Sequence, residues 1–132
     1  MSTFQSTTSI NKPISEIYSF LADMNNHQQL MPADDVSEWL STTDEASFNI
    51  RNMIKLVLKI ENRVPDAEIR IIPAEKPPFE MELKWVLSDG GDHTEVLFTI
   101  TAELNMMMKM LASGPLQKLV DDETANLYKL LN

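Results

Sequence analysis

Glu123 is the residue in this 132-residue chain whose position asks for a chemical explanation. Leu116, Leu119, Val120, Leu127, Leu130 and Leu131 recur at helical spacing and form one apolar stripe. Glu123 falls inside that stripe, within roughly 20° of Leu116 on a 3.6-residue helix. A buried carboxylate is unfavourable unless it is paired or hydrogen-bonded. Three arrangements would meet that demand. The carboxyl is a polar anchor, or an acid of raised pKa, inside a cavity; it is salt-bridged to a lysine or arginine; or the helix tilts away and leaves it partly exposed.

The other titratable residues offer less. His93 stands beside Gly90-Gly91, where a hairpin tip is expected and a histidine is ordinarily exposed. His27 belongs to a short second helix, where a solvated histidine is the expectation and a gate at a cavity entrance the alternative. Asp34-Asp35 and Asp121-Asp122 are adjacent in sequence, and adjacent residues on a helix point in different directions. No metal-ligand spacing, nucleophile motif or phosphate-binding glycine loop is present, and no cofactor is implied. With no cysteine in the chain, disulfides, thiolate metal sites and cysteine nucleophiles are excluded. The net charge of −9 repels phosphate backbones and anionic lipid surfaces, so nucleic-acid binding is disfavoured.

The methionines form a second anomaly. Met106, Met107, Met108 and Met110 crowd one short stretch, in a chain with nine methionines. Unbranched, adaptable side chains suit gap-filling in a core, an interface, or a soft cavity mouth. Ser113-Gly114-Pro115 then interrupts the helical pattern, because Pro115 lacks an amide donor. A kink or two helical segments are predicted there.

These residues need elements to hold them. Residues 3–10 read as a polar strand with Phe4, Ser6, Thr8 and Ile10 on one face. Pro13 opens a short amphipathic helix carrying Ile14, Ile17, Tyr18, Leu21 and Met24. A second short helix over about Asn26–Met31 ends at Pro32. From Val36 the period changes to two: Val36–Thr42, Ala46–Arg51, a strand carrying Ile54, Leu56, Leu58 and Ile60, then Ile69 and Ile71 after the Val64-Pro65-Asp66 turn. Phe79, Met81, Leu83, Trp85 and Leu87 alternate with Glu80, Glu82 and Lys84. Asp89-Gly90-Gly91-Asp92 marks a hairpin into Val96, Phe98, Ile100 and Ala102. A sheet with one apolar face needs a cover, and only the C-terminal helix is long enough. One α+β domain over residues 1–132 follows, a curved antiparallel sheet wrapped around that helix. No apolar run reaches the ~20 residues of a membrane span, and the N-terminus lacks a signal peptide's pattern. A soluble cytoplasmic protein is the expectation.

That order of elements resembles the START-like superfamily, also called SRPBCC or helix-grip proteins, which includes polyketide cyclases and lipid-transfer domains. The resemblance is carried by the opening from Ile10-Asn11-Lys12-Pro13-Ile14 through Leu21-Ala22-Asp23, the Leu30-Met31-Pro32 stop, the Pro65 turn and the closing helix. It implies seven strands gripping the C-terminal helix, with two short helices after the first strand and often an apolar cavity between sheet and helix. Superfamily members bind lipids, sterols or polyketides, catalyse cyclisation, or support other proteins.

The inward row carries no charged residue along its longest strands, which leaves general acid–base chemistry without a placed group there. A filled core and a ligand cavity both need such apolar walls. Lining residues would be Trp39, Leu58, Phe79, Met81, Leu83, Phe98 and Ile100 from the sheet, with Met107, Leu116, Val120, Glu123 and Leu127 from the helix. The leading expectation is non-catalytic binding of a lipid-like or polyketide-like molecule. A packed interaction module is the alternative, as is an aromatase/cyclase-type enzyme using Glu123 or a polar group from Ser6, Thr8, Ser37, Trp39 or His27. The oligomeric state is left open, a dimer included.

Overall fold

The computed structural model describes residues 1–77 and 79–132. Seven strands form one antiparallel sheet: β1 (Ser2–Ile10), β2 (Val36–Ser41), β3 (Glu45–Ile50), β4 (Ile54–Val64), β5 (Glu68–Pro73), β6 (Met81–Asp89) and β7 (Thr94–Ala102). Their order is β1-β7-β6-β5-β4-β3-β2, so β2 to β7 run as a meander and β1 closes against the last strand. Helix α1 (Ile14–Leu21) and a 3-10 segment (Met24–Leu30) follow β1, and helix α2 (Met106–Leu131) ends the chain. No helix among the described residues is long and apolar enough to cross a membrane.

Local chemistry explains the punctuation. Pro13 precedes α1 in extended conformation, and the Asp23 carboxylate accepts from the Asn25 amide to start the 3-10 segment. Between β4 and β5, Pro65 and Asp66 make a turn whose second corner has φ 57°, closed by the Ala67 amide on the Val64 carbonyl at 3.0 Å. At the β6–β7 hairpin, Gly91 takes φ 94°, a conformation that disfavours a side chain. The β3–β4 turn uses Arg51 and Asn52 at φ 51° and 57°, without glycine.

Along β6, Met81, Leu83, Trp85 and Leu87 are buried, while Glu82 on the outer face pairs with Arg70, which also reaches Glu61. The inner faces of β3 to β7 and the inward side of α2 make one continuous core. α2 packs chiefly on β1 and also meets β7 and the 3-10 segment. Its first turn is capped by Asn105, whose side chain accepts from the Met108 amide at 2.8 Å.

Two expectations change. α2 is one continuous helix of 26 residues, not two segments. A proline inside a helix removes one backbone bond and disfavours it by about 3 kcal/mol, but Pro115, Leu116, Leu119 and Val120 are all buried against the rest of the core. Burying one large apolar side chain returns about 1.5–3 kcal/mol, so that face outweighs one lost bond. The apolar stripe also loses one member: Leu130 is exposed, while Leu131 still packs on the core.

Candidate functional site

Glu123 is 1% exposed, level with Leu119, Val120 and Leu127 on the covered face of α2. Its Oε2 has no hydrogen-bond partner. The salt-bridged and solvent-tilted arrangements are therefore not the ones adopted. Burial, with no compensating partner, pushes its pKa well above the ordinary carboxylate value. The shift favours the protonated form, which can donate one hydrogen bond and accept others.

Across the sheet a second polar atom lacks a partner. Trp85 is fully buried at the centre of β6, and its indole Nε1 meets no acceptor. The ring stacks on Phe98 of β7 with centroids 3.9 Å apart and planes 5° from parallel. His27 meets Trp85 edge-on at 6.2 Å.

His27 corrects the surface expectation. It is 1% exposed, and its Nε2 donates to the Leu21 carbonyl at 2.8 Å. Burial pushes its pKa down, so the ring is neutral. Met24, His27 and Leu30 recur every third residue, and all three are buried. That spacing is the period of a 3-10 helix and is the signal in the sequence that places His27 inside.

Strand register brings these groups to one level of the interior. Trp85 pairs with Phe98 across β6 and β7, and Phe98 pairs with Ser6 across β7 and β1. Ser6 Oγ lies 2.7 Å from Thr124 Oγ1, and Thr124 is the residue after Glu123. A single transverse row thus runs from Trp85 to the turn of α2 that carries Glu123. Thr124 Oγ1 is satisfied by the Val120 carbonyl as well as by Ser6; Trp85 Nε1 and Glu123 Oε2 are not. Arg70 Nε also lacks a partner, but it lies on the outer face of β5, beside Glu82.

Of the twelve residues read as lining a cavity, Leu58, Phe79, Met81, Leu83, Phe98 and Ile100 are buried on the sheet side. Leu116, Val120, Glu123 and Leu127 are buried on the helix side. Met107 is not with them: it is 70% exposed on the outer side of α2, and Met108 is the methionine that packs on the core. Successive residues on a helix point in different directions, so Met107 and Met108 cannot both face inward. Trp39 is half-buried at the sheet edge, stacked on buried Phe48 at 5.1 Å. Its indole donates to Ser41 Oγ, which donates to Asn25 and so ties β2 to the 3-10 segment. β2 is irregular at this point, where its register against β3 shifts between Ser37 and Leu40 and Glu38 takes φ 56°. Two surface depressions meet at Trp39, one of about 330 Å³ shared with Phe48 and Lys55, the other of about 280 Å³ shared with Gln28 and Met31. Among the described residues no group of three or more histidine, aspartate or glutamate side chains is arranged to hold a metal ion.

No protein-family model and no curated protein matches this sequence. Solved structures do match. TTHA0849 from Thermus thermophilus aligns with a TM-score of 0.75 at 17% identity, over 97% of this chain and 95% of that one. A START superfamily protein from Mycobacterium smegmatis aligns at 0.68 and 13% identity, over 97% and 98%. The di-domain aromatase/cyclase BexL, from the BE-7585A biosynthetic pathway, aligns at 0.71 and 14% identity, over 98% of this chain and 46% of BexL. Identities this low speak for shape alone, and the shape is that of the START-like, helix-grip fold.

Proposed function

We propose that this protein binds an apolar small molecule between the concave face of its sheet and α2, without transforming it. The observation that carries the reading is the pair of interior polar atoms without partners, Glu123 Oε2 and Trp85 Nε1, inside a largely apolar core whose other buried polar side chains are hydrogen-bonded. Buried polar groups in proteins are almost always hydrogen-bonded, so two orphans in one interior favour a bound guest. The fold shared with a START superfamily protein and with an aromatase/cyclase adds support by analogy. Entry is proposed past Trp39, where the irregular edge strand meets the 3-10 segment.

Native mass spectrometry of freshly purified protein, followed by thermal shifts across an apolar panel, tests this. A retained small-molecule mass is expected, with stabilisation of about 2.7 kcal/mol at a ligand concentration of 100 Kd. A bare chain mass together with no thermal shift across the panel would overturn it. A second reading, a protein-interaction module, rests on the exposed Met106, Met107, Met110 and Leu111 at the start of α2. The same spectra bear on it: ligand-free chains associating as dimers would favour that face.

A further inference from the structure

The interior holds polar groups of a restricted kind, and this bears on which apolar molecule fits. Among the described residues the buried polar side chains are His27, Thr94, Glu123 and Thr124, with the indole of Trp85; no lysine or arginine is buried. Thr94 donates to the Lys12 carbonyl, Thr124 is held by Val120 and Ser6, and His27 donates to Leu21. Of these, two groups remain unsatisfied, an indole N–H and a carboxyl oxygen, at the same level of the sheet.

We propose that the site selects an apolar molecule bearing a single uncharged hydroxyl, which accepts from Trp85 Nε1–H and pairs with the Glu123 carboxyl, and that it rejects carboxylates. This deepens the binding function proposed above and rests on it. A hydroxyl carries one donor and two acceptor positions, so it serves the indole and the acid together. A carboxylate ligand would enter a low-dielectric space with no cation to receive it, and an unpaired charge there is strongly unfavourable. An alkyl chain without a polar end would leave both orphans as they are.

The probes are 1-decanol, decanoate at pH 8, and 1-chlorodecane as a chain without a hydroxyl, with affinities read from displacement of a hydrophobic dye. Decanol is expected to bind at least ~10-fold tighter than either of the others, the effect of satisfying one or two buried polar groups. In Glu123→Leu the decanol advantage over chlorodecane should fall about tenfold while chlorodecane binding persists, which also reports that the variant is folded. Glu123→Gln, which keeps a neutral donor and acceptor, should retain most of the preference. If none of the three probes binds, the proposed function itself fails. Tight decanoate binding, or a decanol preference that survives both Glu123→Leu and Trp85→Phe, would overturn the selectivity while leaving apolar binding intact. A buried water that bridges the two groups and stays when decanol binds would overturn it as well.

Discussion

Glu123 gives stability a pH dependence opposite in sign to that of a salt-bridged carboxylate. Its pKa in the folded state lies above the ordinary value of 4.5 because it is buried without a partner. The folded chain then holds a proton that the unfolded chain releases, so this group's contribution to stability is greatest below about pH 4.5 and is lost as pH rises through the folded pKa. In Glu123→Gln this loss is absent. Urea denaturation at successive pH values should show the variant gaining on the parent by up to about 1.4 kcal/mol per pH unit above 4.5, until the folded carboxyl ionises. A difference independent of pH would mean that the carboxyl is not buried as described. His27 acts in the other direction, since its pKa is lowered from 6.5 and its contribution is lost as pH falls below that value. Parent and variant share every titratable group except the one at position 123, so the comparison isolates it.

At the scale of elements, α2 is held by its cap, its covered face, a hydroxyl contact to β1 and the Asn126 side chain donating to the Leu30 carbonyl, and it tolerates Gly114-Pro115 in the middle. Apart from its chain neighbours and the backbone of its own helix, a Cβ at Gly114 would meet nothing within 4 Å. The glycine therefore has no packing role, and it carries the usual entropic disadvantage of glycine in a helix. Gly114→Ala should stabilise the protein by roughly 0.5–1 kcal/mol, read as a raised midpoint in chemical denaturation with an unchanged m-value. Destabilisation would show that the new methyl meets the ring of Pro115, which crowds the residue before it in a helix. The helix itself was legible from the spacing of Leu116, Leu119, Val120 and Leu127. Its continuity through Pro115 was not, because local propensity at a proline is overridden by packing on the sheet. The 3-10 segment was legible as a helix of the wrong period, which is why His27 is predicted outside and found inside.

For the whole molecule the dominant electrostatic fact is a net charge of −9, with 20 acidic against 11 basic side chains. Like charges repel in the compact state more than in the expanded chain. Raising ionic strength from about 0.01 to 0.15 M shortens the screening length from ~30 to ~8 Å and should raise the thermal midpoint by a few degrees. Exposed pairs such as Arg70–Glu61 and Lys118–Asp122 weaken with salt, but water screens them and each contributes little. A midpoint that falls with salt would mean that such pairs outweigh the general repulsion.

The strand face, the hairpin at Gly90-Gly91, the long amphipathic helix and the α+β order all followed from the sequence, because they depend on periodicity and turn chemistry within a few residues. The position of Glu123 in an apolar stripe was readable in the same way. What the sequence left open was whether that carboxyl had a partner, since a lysine or arginine able to reach it would come from a distant part of the chain. Tertiary structure decided this. The pairing of β1 with β7, the Ser6–Thr124 contact and the stacking of Trp85 on Phe98 are long-range, and together they enclose the acid and the indole without supplying either with a partner.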